Sequence, residues 1–155
     1  MVYQSFGALG LVACVYWFGS LFAEQIRAEQ SSFPFLEIIG ESGAGKTTLI
    51  EFLWKLFGRE DEEGFDPNKW SSVGNWRKLA QWSNQPSVFI EADRDDSNHQ
   101  KRFDWESIKS FYNGRGLRGT GQKSHDNNTQ EADFRGALVL AQNAPVNASE
   151  ADLFL

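Results

Sequence analysis

Gly40-Glu41-Ser42-Gly43-Ala44-Gly45-Lys46-Thr47 satisfies the pattern G-x-x-x-x-G-K-[ST] in full. Its flanks have the matching character. Phe35-Leu36-Glu37-Ile38-Ile39 ahead of it is a short apolar run suited to a buried strand. Behind it, Thr48 to Phe57 has helical periodicity and stops at Gly58. Strand, glycine loop and helix in that order aim successive backbone N–H groups and a helix N-terminus at one polyphosphate. On this reading Gly40, Glu41, Ser42, Gly43, Ala44, Gly45, Thr47 and Thr48 surround the phosphates. Lys46 reaches the β- and γ-phosphates, and the Thr47 hydroxyl ligates Mg²⁺. The expected ligand is a nucleoside triphosphate, taken as ATP with Mg²⁺.

Two further apolar runs match the first. Ser87-Val88-Phe89-Ile90 runs into Glu91 and Asp93, and Ala137-Leu138-Val139-Leu140-Ala141 runs into Gln142 and Asn143. Between the runs lie helical patterns. Trp76, Leu79, Ala80 and Trp82 recur at helical spacing before Asn84-Gln85-Pro86. Trp105, Ile108, Phe111 and Tyr112 share a face of a helix capped by Asp104 and closed by Gly114. Asn147 and Glu150 resemble a capping box for one more helix. The acidic, turn-rich stretch from Arg59 to Lys69 reads as an exposed loop, and the glycine-rich stretch from Arg115 to Gly136 as a long hairpin or loop. Helices alternating with short, fully apolar strands predict an α/β fold with a mainly parallel central sheet covered on both faces, the three-layer P-loop fold. Ligands of such sheets bind beyond the carboxyl ends of the strands. The glycine loop, Glu91/Asp93 and Asn143 all follow strand ends, so they are expected at one edge.

The 155 residues suffice for one core, divided here into a leading helical segment, 1–31, and an ATPase-like core, 32–155. A net charge of −6 argues against a generally basic nucleic-acid coat but leaves room for a local basic element. The lone Cys14 lies in an apolar run and suits a reducing cytoplasm. Phe6 to Ala23 is uncharged and long enough to span a membrane. Gly7, Gly10 and Gly19 dilute it, Glu24, Gln25 and Arg27 extend the same helix in polar form, and the phosphate-loop strand follows closely. These features favour one helix from about Tyr3 to Gln30, buried in a soluble protein.

Triphosphate hydrolysis needs a metal on the β- and γ-phosphates and a group that orients water. Glu91 is assigned to Mg²⁺ through water, with Asp93 as the water-orienting partner; which of them performs which task stays open. Asn143 supplies an amide for the γ-phosphate or the attacking water. The expected catalytic set is therefore Lys46, Glu91, Asp93 and Asn143. Lys109, Arg115, Arg118, Lys123 and Arg135 gather positive charge in an otherwise acidic chain, a pattern that attracts phosphate backbones.

In this order the features resemble the superfamily 3 helicase motor, an AAA+-like ATPase core, as found in phage- and plasmid-type primase–helicases. The resemblance rests on Gly40–Thr47, on Phe89-Ile90-Glu91-Ala92-Asp93, on Ile108 to Arg118 and on Leu140-Ala141-Gln142-Asn143-Ala144-Pro145. It implies ATP-driven DNA translocation or unwinding in the replication of a mobile element. It also implies a β-hairpin that grips single-stranded DNA, here through Arg115, Arg118, Lys123 and His125, and a homo-oligomeric ring with a primase domain or partner. Asn143 matches the family's polar sensor. Arg135 is the last arginine of the sequence, so measured against the family the core looks incomplete at its C-terminus, lacking the arginine finger, and slow hydrolysis by the isolated chain is expected. The alternatives are a nucleotide or small-molecule kinase, and a hydrolysis-poor nucleotide-binding fragment whose first helix associates with membrane.

Overall fold

The computed structural model describes residues 2–60, 62–69, 72–90, 108–115 and 133–145. Their elements are α1 (Val2–Ser20), α2 (Ala23–Gln30), β1 (Leu36–Ile39), α3 (Lys46–Leu56), a 3-10 turn (Pro67–Lys69), α4 (Ser72–Ala80), β2 (Pro86–Ile90), α5 (Lys109–Tyr112) and β3 (Ala137–Gln142). The chain is α/β. Among the described residues three strands form one parallel sheet in the order β1-β3-β2, so the last of them in sequence lies in the middle. The register places Leu36 and Val88 on either side of Val139, and Glu37 and Phe89 on either side of Leu140.

Side chains alternate between the two faces, as strand geometry requires. Leu36, Val88, Val139 and Ala141 join Ala13 and Trp17 of α1 and Ile50, Leu53 and Trp54 of α3 in one buried cluster. Phe89, Leu138 and Leu140 join Leu79 of α4, Phe111 of α5, Phe35 and Phe134 in the other. The central strand β3 is buried along its whole length, because both of its faces are covered, whereas β1 at the edge is buried only in part. Every large side chain so buried contributes about 1.5–3 kcal/mol. Aromatic edges lock α1 to α3, with the Trp17 and Trp54 rings 5.3 Å apart and those of Phe18 and Phe57 5.5 Å apart.

The leading segment departs from the single buried helix expected of it. It breaks between α1 and α2, where Leu21 and Phe22 donate three residues back to Phe18 and Gly19. The Ser20 hydroxyl adds a 2.6 Å bond to the Trp17 carbonyl. Asn84, from the turn before β2, then caps α2 by accepting from the Glu24 N–H at 3.2 Å. A second break lies inside α1 at Gly7, whose φ of 65° and ψ of −161° are non-helical. Nor is α1 buried all round: one stripe faces the core, while Leu9 and Val15 are 82% and 71% exposed. Only 22% of its apolar window is inside the molecule, and by length and composition alone the helix could cross a membrane.

The acidic stretch after α3 is also less loop-like than its composition predicts. Phe65 makes a parallel bridge to Phe89, donating to Val88 O and accepting from Ile90 N, both at 3.0 Å. It adds a rung to the outer edge of β2. Gly64 makes this approach possible, because a Cβ there would lie 2.7 Å from the Val88 carbonyl oxygen.

Candidate phosphate-binding site

β1 delivers the chain into the glycine loop, and the Gly40 N–H donates to the Gln142 carbonyl at 3.2 Å, tying the start of the loop to the end of β3. The loop closes on itself through Ala44 N–H to Glu41 O at 3.1 Å. Gly43 and Gly45 have φ of 81° and 87°, a region in which any side chain would be strained. α3 then begins at Lys46 with Gly45 as its N-cap, no side-chain cap and no acidic residue in its first turn. Its leading N–H groups and the positive end of its dipole are thus left for an external anion. Thr47 and Thr48 are exposed beside the loop.

Lys46 links the loop to the neighbouring strand. Its ammonium donates to Gly40 O at 2.5 Å, to Glu41 O at 2.9 Å and to Asn143 Oδ1 at 3.0 Å. An ammonium has no acceptor, so the Asn143 amide must present its oxygen to Lys46 and turn its NH₂ elsewhere. The two residues lie 97 positions apart in sequence. They meet because β3 pairs directly with β1 in parallel, which brings both carboxyl ends to one edge.

The same edge receives the end of β2, whose last residue Ile90 pairs with Ala141. Glu91 and Asp93 come next in sequence but lie outside the described residues, as do Arg118, Lys123 and His125. Asp104, Trp105, Asn147 and Glu150, the expected ends of two helices, lie outside them as well. Arg115 is exposed immediately beyond α5, and Arg135 is exposed before β3. Among the described residues no group of three His, Cys, Asp or Glu side chains gathers to hold a metal. The set expected for Mg²⁺ pairs Thr47 with Glu91.

One pair at this edge escaped the sequence reading. Gln142 is 2% exposed, and its amide donates to the Glu37 carboxylate across the β1–β3 junction. The bond latches together the two strands that carry the glycine loop and Asn143. A carboxylate inside an apolar strand, as in Leu36-Glu37-Ile38, is the signal that points to such a partner.

Comparison with protein-family models, with curated proteins and with solved structures returns no match.

Proposed function

We propose that this chain is the P-loop ATPase core of a DNA helicase or translocase, of the type that superfamily 3 motors represent. The observation that carries the proposal is the 3.0 Å bond from Lys46 to Asn143 at the shared carboxyl edge of three parallel strands. It joins the two residues that hydrolysis needs beside one γ-phosphate. The glycine loop and the open N-terminus of α3 support the phosphate half of the reading.

Lys46 donates to two neutral carbonyls, Gly40 O and Glu41 O. Phosphate oxygens are charged acceptors and form roughly twice as strong a bond, so they displace those carbonyls from the ammonium. Asn143 keeps its oxygen toward Lys46 and offers its NH₂ to the γ-phosphate or the attacking water. Because β3 stands between them, β1 and β2 are two strand spacings, about 10 Å, apart at this edge. That separation leaves room for water between the ends of β1 and β2. Thr47 and, by its place in the sequence, Glu91 would hold Mg²⁺, which would supply charge neutralisation on the β- and γ-phosphates. The DNA half of the reading rests on the order of the sequence motifs and on the basic residues Arg115, Arg118, Lys123 and His125.

The test is the ATPase rate of the purified chain with and without single-stranded DNA, over a range of protein concentrations. A rate that DNA raises and that climbs with concentration supports a ring-forming motor. Phosphate transfer to a nucleoside monophosphate, with water a poor acceptor, would replace the motor by a kinase. DNA binding of the expected kind weakens steeply with salt and falls when Lys123 and His125 are changed to Ala.

A further inference from the structure

We propose that the cleft between the first turns of α1 and the outer side of α3 holds the nucleoside end of the triphosphate. This rests on the phosphate-loop reading above and assigns residues to the half of the ligand that the loop motif leaves unspecified. The cleft has a volume of about 290 Å³, and its α1 wall is Val2, Ser5 and Phe6. That size lies just below the range for small-molecule sites, about 300–1,000 Å³, which suits a base and ribose rather than a larger group.

Position is the first argument. Thr48 lines the cleft and is also the second residue beyond Lys46. From Thr48 the cleft follows Glu51, Phe52 and Lys55, one stripe of α3 leading away from the phosphate loop. At 1.5 Å per residue that stripe is about 10 Å long. A ligand whose phosphates cover the loop and the N-terminus of α3 has its remaining bulk directed along one side of that helix.

Chemistry is the second. Val2, Phe6 and Phe52 offer apolar surface to the face of a ring. The Ser5 and Thr48 hydroxyls, the Glu51 carboxylate and the Lys55 ammonium offer donors and acceptors to its edges and to ribose hydroxyls.

Construction is the third. Glycine weakens a helix, yet α1 has two near this cleft, and both shape its wall. Gly7 breaks the helix at φ 65°, re-aiming the turn that carries Val2, Ser5 and Phe6. Phe6 consequently folds over Gly10, where a Cβ would lie 2.2 Å from the Phe6 Cβ. The Phe6 ring thereby reaches Phe52, 5.8 Å away and tilted by 40°. An unbroken helix with alanine at both positions could not build this wall.

Calorimetric titration with Mg²⁺-ATP and with Mg²⁺-tripolyphosphate separates the two halves of the ligand. The unaltered chain is expected to bind ATP about 10- to 100-fold more tightly than tripolyphosphate, the scale of base stacking on aromatic side chains. Ser5→Trp, at an exposed position of α1, fills the cleft and should bring ATP down to the affinity of tripolyphosphate while leaving tripolyphosphate unchanged. Glu51→Ala, which adds no bulk, should lower the ratio in the same direction by about 3-fold. An ATP-to-tripolyphosphate ratio unmoved by both substitutions overturns this inference alone. Failure of the unaltered chain to bind either ligand removes the phosphate-loop reading and this inference together.

Discussion

At the carboxyl end of the sheet the Lys46 ammonium donates to the backbone carbonyls of Gly40 and Glu41. At the amino end the Arg27 guanidinium does the same to Tyr112 and Phe134, at 3.3 and 3.5 Å. The donors and acceptors are alike, but the settings are not. Lys46 is half-buried beside a glycine loop, where a ligand can reach it and exchange its neutral partners for charged ones. Arg27 is 8% exposed, with its guanidinium over the rings of Phe33 and Phe134 at 5.6 and 5.3 Å. Its stem lies against Gly114, where a Cβ would come within 2.9 Å. Nothing charged can displace those carbonyls without unpacking the core, so Arg27 fastens α2 to the segments around α5 and β3. Accessibility, more than bonding pattern, separates the cation proposed to bind from the architectural one.

Burial pushes the Arg27 pKa down to about 10, against the opposing pull of Tyr16 and Glu24. The guanidinium therefore remains charged at neutral pH. A cation whose folded pKa lies below its unfolded value makes stability rise with pH only as the folded form loses its proton, from about 10 upward. Between pH 6 and 9 this residue adds no slope.

The largest expected effect is on ligand binding. Lys46→Ala should weaken ATP binding by about 100-fold or more, since it deletes the charged donor to the phosphates. Thermal melting should move by no more than about 2 °C, because the lysine stabilises little of the core. A large drop in melting temperature would break the comparison at its first term. Arg27→Leu should do the reverse. It removes the cation between Phe33 and Phe134 and takes a donor from the Phe134 carbonyl, costing about 2–4 kcal/mol of stability in urea unfolding. ATP affinity per folded molecule should stay the same. Loss of binding beyond the unfolded fraction would make Arg27 part of the site.

How far these roles were legible in the sequence differs along the chain. The three strands stood out as short, mostly apolar runs, most plainly β2 and β3, which are buried nearly throughout. That same uniformity hid their order: no residue of Ala137–Gln142 says that β3 is central. The glycine loop was readable because its backbone conformations admit little but glycine at Gly43 and Gly45. Asn143 was readable only as a position after a strand; its contact with Lys46 depends on pairing across 97 residues. The break between α1 and α2 is invisible locally, since Ser20, Leu21 and Phe22 suit a helix, and the cap that starts α2 comes from distant Asn84. Phe65 was hidden by its acidic, glycine-rich neighbours, whose composition suggests solvent although Phe65 extends a sheet edge.

A smaller effect sharpens the architectural side. Tyr16 is buried, and its hydroxyl donates toward two carbonyls, Pro34 O at 2.9 Å and Leu138 O at 2.8 Å. Burial raises its pKa far above the ordinary phenol range, with Arg27 pulling the other way, so the hydroxyl stays protonated and able to donate. Tyr16→Phe keeps the ring against Phe33, 5.3 Å away, and removes only the bond. It should cost about 1–2 kcal/mol by chemical denaturation. A neutral result would mean that α1 is held to β3 by packing alone.

The smallest effect on affinity should come from Asn143→Ala, on the binding side. Asn143 supplies one of the three acceptors of the Lys46 ammonium, and the other two are main-chain oxygens that the substitution leaves in place. Lys46 therefore keeps its position over the loop, and phosphate oxygens can still replace the carbonyls. ATP affinity should change by less than about 3-fold, the range of one exposed neutral hydrogen bond. Turnover should nevertheless slow, because the amide NH₂ proposed to address the γ-phosphate or the attacking water is gone. Calorimetry and a phosphate-release assay on the same preparation read the two quantities separately. If affinity collapses as far as in Lys46→Ala, Asn143 is part of the phosphate cradle itself, and the division between a binding loop and a sensing strand no longer holds.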